Sequence, residues 1–142
     1  MPEESTTPEL VELVQRVVDA VNARDFDAVQ SAYTRHAVLE IWELGADTFE
    51  GHVAIRGFYE EWAGTFPDWK QEAQEIRDLG NGVAFAVIAQ TGHPADSTGW
   101  VQQRYAAVAT WADGLVERQR NYFDIDEARA AAERLAQERA DG

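Results

Sequence analysis

The sequence predicts an α+β domain in which helices cover the concave face of a curved, mainly antiparallel sheet. Three observations predict it. Apolar residues near the start recur at helical spacing: Leu10, Leu13, Val14, Val17, Val18 and Val21. After Trp69 the pattern changes to strand-like runs separated by Gly80-Asn81-Gly82 and Asp113-Gly114. A last helical stripe, Ala128, Ala131, Ala132, Leu135 and Ala136, closes the chain. A sheet curving over a long helix leaves a cone between the two, and a cone can hold a ligand.

The elements follow in order. Thr7 as N-cap and Pro8 in the first turn open a helix expected over residues 8–24. Asp25 caps a short second helix with Phe26, Val29, Ala32 and Tyr33 on its apolar side. Residues 37–44 read as a strand ending in the turn Gly45-Ala46-Asp47. Ile55, Phe58, Tyr59, Trp62 and Phe66 mark a third helix over 53–65, stopped ahead of Pro67. Strands are expected over 69–79 and 83–92, then a hairpin of 99–111 and 115–124 around Ala112-Asp113-Gly114. Asp124 or Asp126 caps the closing helix. There is no repeat and no linker, so residues 1–142 form one domain with an ordered core of about 8–138, frayed at both ends.

A chain of 142 residues suffices for a single core, burying roughly 68% of its unfolded surface. Its 45% apolar content and five tryptophans exclude a disordered chain. The formal charge is −14, and Lys70 is the one lysine among twelve basic residues. Such a surface repels phosphate backbones and anionic lipid, so neither nucleic acid nor membrane is expected as a partner. No apolar run approaches the roughly 18 residues of a membrane span, and the first seven residues are too polar for a signal peptide. The cytoplasm is the default location. Without cysteine there is neither a disulfide framework nor a thiolate site.

The final hairpin points to the site. With the parity that buries Leu115 and Phe123, the inward face also carries Glu117, Gln119 and Asn121. A polar face inside a small domain belongs to a cavity. The expected pocket is walled by Tyr33, Ile41, Trp62, Phe66, Phe85, Tyr105 and Ala107, with Gln119 and Asn121 fixing orientation. Arg104, Arg118, Arg120 and Tyr122 have the outward parity. The outward face of Arg104, Ala106, Val108 and Thr110 is apolar at its centre, which predicts a homodimer through the outer side of the sheet.

Three segments carry a family resemblance: residues 21–28 (VNARDFDA), residues 49–59 (FEGHVAIRGFY), and Asp113-Gly114-Leu115-Val116-Glu117 running into Arg120-Asn121-Tyr122-Phe123-Asp124. Together they resemble the nuclear transport factor 2-like superfamily and, within it, the SnoaL-like group. The resemblance implies a cone-shaped α+β fold. It does not choose an activity, because the superfamily holds isomerases, dehydratases, cyclases, epoxide hydrolases and non-catalytic binding domains.

The catalytic groups that the resemblance implies are absent where they should stand. Ketosteroid isomerases need a carboxylate base on the first strand, a tyrosine and a protonated acid. An ungapped alignment puts Ile41, Val17 and Ala107 at those positions. The acid of SnoaL-like cyclases also aligns with Ala107. The final motif of limonene-type epoxide hydrolases resembles residues 119–124, but Asn121 replaces its aspartate, and asparagine is no general acid.

The remaining catalytic candidates are Glu117, Tyr105 and Asn121. Glu117 reads more readily as the partner of a nearby arginine or a solvated rim residue, and Tyr105 equally as a core tyrosine with its hydroxyl satisfied locally. Glu43 shares the inward parity of Ile41, near the mouth. His36, His52 and His93 lack zinc spacing, and there is no dinucleotide fingerprint or nucleophile elbow, so no metal or cofactor is expected. The expected function is binding of a small, largely apolar organic molecule. Two classes stay open: a cofactor-independent lyase, isomerase or cyclase, and a non-catalytic ligand-binding or protein-interaction domain.

Overall fold

The computed structural model describes residues 9–41, 47–95 and 99–141. Helices α1 (Leu10–Asn22) and α2 (Phe26–Ser31) lead into strands β1 (Tyr33–Ile41) and β2 (Asp47–Glu50). Helix α3 (His52–Thr65) follows, then β3 (Lys70–Gly80), β4 (Val83–Gly92), β5 (Val101–Ala112), β6 (Leu115–Tyr122) and α4 (Ile125–Asp141). The strands form one sheet in the order β2-β1-β6-β5-β4-β3. All neighbours are antiparallel except β1 and β6, which run parallel. The α+β layout expected from the sequence is the one the chain adopts.

Boundary differences have local causes. Helix α1 is capped at Glu9, whose N–H donates to the Glu12 carboxylate at 3.3 Å. The expected cap, Thr7, lies with Pro8 outside the described residues. Asp25 caps α2 by accepting from the Ala28 N–H at 3.1 Å. Asp124, not Asp126, caps α4, accepting from the Glu127 N–H at 3.0 Å. Strand β1 starts at Tyr33, four residues earlier than expected, and its register against β6 shifts between Tyr33 and Val38. That irregularity hides the alternation. Asp47, expected in a turn, opens β2 opposite Ile41, whereas Glu43 lies outside the described residues.

Helices cover both faces of the sheet, not one. On the concave side Val21, Val29, Ile55 and Tyr59 pack onto Leu39, Trp69 and Val116. On the convex side α4 sets Ala128 and Ala132 against Phe85, Val87, Ala106, Val108 and Tyr122. The small side chains of α4 let its backbone come close to the sheet. The apolar patch around Ala106 and Val108 is therefore covered by the chain's own last helix, which removes the reason to expect a homodimer there. Phe85 is corrected by the same packing: it faces α4, with the Arg129 guanidinium 4.7 Å from its ring centre, and does not line the cone. Residues Val83 to Ile88 are all buried, so no period-two contrast marked which face was which.

Two side chains from the first resembling segment fasten α1 to the sheet. Asn22 donates to the Gln71 carbonyl and accepts from the Gln71 N–H, both at 2.8 Å. Arg24, held at φ 60°, donates to the carbonyls of Pro67 at 3.0 Å and Trp69 at 2.7 Å. These contacts fix where β3 begins, and hence where Trp69 and Gln71 enter the cone.

Candidate functional site

The cone holds a cavity in two lobes. A lobe of about 50 Å³ lies under α1, between Val14 and Val17 and the sheet residues Tyr33, Ala107, Trp111 and Gln119. A lobe of about 140 Å³ lies under α3, bounded by Phe58 and Trp62 and by Ile41, Asp47, Gln103 and Asn121. Tyr59, Gln71 and Tyr105 line both and form the waist between them.

The structure gathers most of the expected pocket. Tyr33, Ala107 and Gln119 line the α1 lobe, Ile41, Trp62 and Asn121 the α3 lobe, and Tyr105 both. Phe66 lines neither; it packs behind Trp62, ring centres 5.0 Å apart. Glu117 is the main correction, because it is exposed on the outside. The β5–β6 register passes from Thr110 opposite Arg118 to Trp111 opposite Val116, leaving Glu117 bulged out of the ladder. A bulge flips parity, so Val116 and Gln119 point inward together and the residue between them that should have joined them does not. Gln119 and Asn121 face the cavity; the Glu117 carboxylate does not.

The polar lining forms two linked chains of neutral groups. The Tyr33 hydroxyl donates to Gln119 Oε1 at 2.7 Å and lies 3.1 Å from the Tyr59 hydroxyl. Gln119 Nε2 in turn donates to Asn121 Oδ1 at 3.0 Å. On the other side Gln71 Nε2 donates to the Tyr105 hydroxyl at 2.9 Å. Trp69 Nε1 donates to Gln90 Oε1 at 3.0 Å, and Gln90 Nε2 to Gln103 Oε1 at 2.8 Å. Gln71, Gln90 and Gln103 are direct cross-strand neighbours on β3, β4 and β5, a row of three amides. Sequence reasoning missed this row, along with Tyr59 and Trp69. Part of the signal was present: folding β3 and β4 about Gly80-Asn81-Gly82 brings Gln71 opposite Gln90, and the pairing of β4 with β5 adds Gln103.

Burial raises the pKa of Tyr33, Tyr59 and Tyr105, and for Tyr33 the neighbouring Tyr59 adds to the effect. All three stay protonated at neutral pH and serve as hydrogen-bonding phenols, not bases. Among the described lining residues of both lobes the single carboxylate is Asp47, exposed at the mouth of the α3 lobe. Two donors are left over: the indole N–H groups of Trp62 and Trp111 are buried without a partner among the described residues. One ring lines each lobe. An unpaired buried donor is costly.

A family model of the SnoaL-like domain matches residues 14–119. No curated protein matches the sequence significantly. Solved structures resemble the fold at low identity. A putative SnoaL-like polyketide cyclase from Jannaschia superposes with a TM-score of 0.70 at 17% identity, covering 91% of this chain and 98% of that one. An epoxide hydrolase of the LEH-like type from M. tuberculosis gives 0.66 at 18% identity, covering 87% and 89%. A protein of ketosteroid isomerase-like fold from Catenulispora acidiphila, solved with trimethylamine, gives 0.73 at 12% identity, covering 89% and 94%. At these identities the likeness is one of fold.

Proposed function

The chain belongs to the SnoaL-like family, and from that premise we propose that its cone binds a small, uncharged, largely apolar ring-bearing molecule that carries oxygen acceptors. The carrying observation is the pair of unpartnered indole N–H groups, one ring in each lobe of a cavity otherwise furnished with amides and neutral phenols. Carbonyl or ether oxygens match those donors, and the amide row offers both donors and acceptors for orientation. An anionic ligand would lose its hydration without gaining a counter-ion among the described lining of either lobe. Neighbours of the same fold include proteins described as a polyketide cyclase and an epoxide hydrolase, whose substrate classes fit this chemistry.

The test is a melting and tryptophan-fluorescence titration with neutral cyclic ketones and quinones beside the parent hydrocarbons and the corresponding carboxylic acids. A ligand at 100 times its dissociation constant stabilises the fold by about 2.7 kcal/mol. The oxygenated neutral compounds are expected to bind, and Ala107→Phe, which fills the α1 lobe, to abolish the shift in a folded protein. Equal binding of the hydrocarbons, preference for the acids, or no shift with any compound would overturn the reading.

A second reading, cofactor-independent proton transfer on the bound molecule, is favoured by Asp47. Asp47 lines the α3 lobe on β2, across Ile41 of β1 from Asn121 on β6. In that reading Asp47 is the base and the lobe supplies donors for the developing oxyanion. Asp47→Asn separates the two readings: it leaves ligand affinity unchanged and removes any turnover.

A further inference from the structure

Outside the cone a groove lies on the convex face, between β6 and α4. Its volume is about 270 Å³, against about 140 and 50 Å³ for the lobes of the cone. We propose that this groove is a second binding site, separate from the cone, for a small organic carboxylate with an apolar body.

The charges are arranged for it. Arg118 and Arg120 alternate with the inward Gln119 and project to the convex side, where both reach a single carboxylate oxygen, Glu40 Oε1. Arg118 Nη2 stands 3.3 Å from it, and Arg120 donates through Nε at 3.2 Å and Nη2 at 3.1 Å. One glutamate set against two guanidiniums leaves positive charge over. Arg134 brings a third guanidinium from α4, and it forms no hydrogen bond or ion pair with another described residue. Glu138, one helical turn on, also borders the groove. Three arginines against two glutamates make a local formal charge of +1 on a chain whose total is −14.

The rest of the groove explains why the ligand is organic. Tyr122 and Leu135 supply apolar floor between the guanidiniums. Paired guanidinium donors match the planar carboxylate, and the floor takes an alkyl or aryl body. Arg118 has a 58% exposed side chain, so it can reorient toward a ligand, while Glu40 at 16% holds Arg120 as the fixed wall.

The experiment maps amide chemical shifts while octanoate, octanol or inorganic phosphate is titrated into the wild-type chain and the Ala107→Phe variant. Octanoate is expected to move residues around Tyr122, Ala131 and Leu135 in both proteins, less so at high salt. Octanol and phosphate alone are expected to bind at least about tenfold more weakly, each lacking one half of the match. The double variant Arg118→Gln, Arg134→Gln, both at exposed positions, is expected to weaken octanoate about tenfold without altering the melting curve. Shifts confined to Tyr105 and Gln119, octanol binding as well as octanoate, or a double variant with undiminished affinity would overturn the proposal. A change of molecular mass on adding octanoate would do so too, by showing an interface between copies instead.

Discussion

Strand β6 serves two regions with opposite chemistry. Its inward side chains, Gln119 and Asn121, meet tyrosines and amides in a cavity whose described lining is neutral apart from Asp47 at the mouth. Its outward side chains, Arg118 and Arg120, meet Glu40 and the C-terminal helix in a charged groove. The difference teaches how thin the boundary is. Neighbouring residues on one strand are separated by a single change of direction, so the concave face stays free of charge only while the register of β6 is kept. The bulge at Glu117 sets that register, and it ejects the one carboxylate that simple alternation would have put inside.

The comparison can be broken or sharpened by experiment. The largest effect is expected from Phe85→Ala on the convex side. Deleting a fully buried ring under α4 should cost roughly 3–5 kcal/mol in urea unfolding yet leave the affinity of the cone for a neutral ligand unchanged. A matching loss of affinity would mean that the two faces are not independent. Asn22→Ala removes two hydrogen bonds to the Gln71 backbone and should cost about 2 kcal/mol. Unlike the first variant it should also weaken ligand binding, because Gln71 stands at the waist of the cavity.

Acid should act from the convex side and edge. Arg129 first and Arg77 second hold the Glu75 carboxyl down at about 2, against an ordinary 4.5. A depressed carboxylate pKa stabilises the fold fully above the ordinary value, and the stabilisation fades as pH falls from about 4.5 toward 2. Glu75→Gln should flatten that part of the stability-against-pH curve, which thermal melts over the range would show. The smallest effect belongs to Glu117→Gln. At an exposed bulge it should change stability by less than about 0.5 kcal/mol and ligand affinity not at all. A large loss of binding would return Glu117 to the cavity and refute the bulge.

What was legible in the sequence follows from where periodicity survives packing. Helix α1 has one wet and one dry side, so Val17 could be placed on its apolar stripe, and the polar residues alternating along β6 marked Gln119 and Asn121 although α4 covers the other face of the hairpin. Strand β4 is dry on both sides, so Phe85 could not be placed. The amide row was present in the sequence but crosses three strands, and only the paired hairpins align it. Asp47 was concealed because β2 is four residues long, too short for a pattern. The covering role of α4 was unreadable for another reason: an alanine stripe says that something packs closely, without saying against which face.

The parallel pairing of β1 with β6 has a consequence for how the chain reaches this structure. Val38 is hydrogen-bonded in register with Arg118, with most of the protein between them. On the ribosome, β1 therefore emerges long before its central neighbour exists, flanked only by the short β2. Until β6 arrives, one edge of β1 stands open to any extended segment nearby. The β3–β4–β5 meander needs only local turns, whereas joining it to β1 demands closure of a loop spanning about half the chain. Folding is thus expected in two stages, with the meander first and the β1–β6 seam last. Pulsed hydrogen exchange would show protection at Val87 and Ala106 before Leu39 and Gln119.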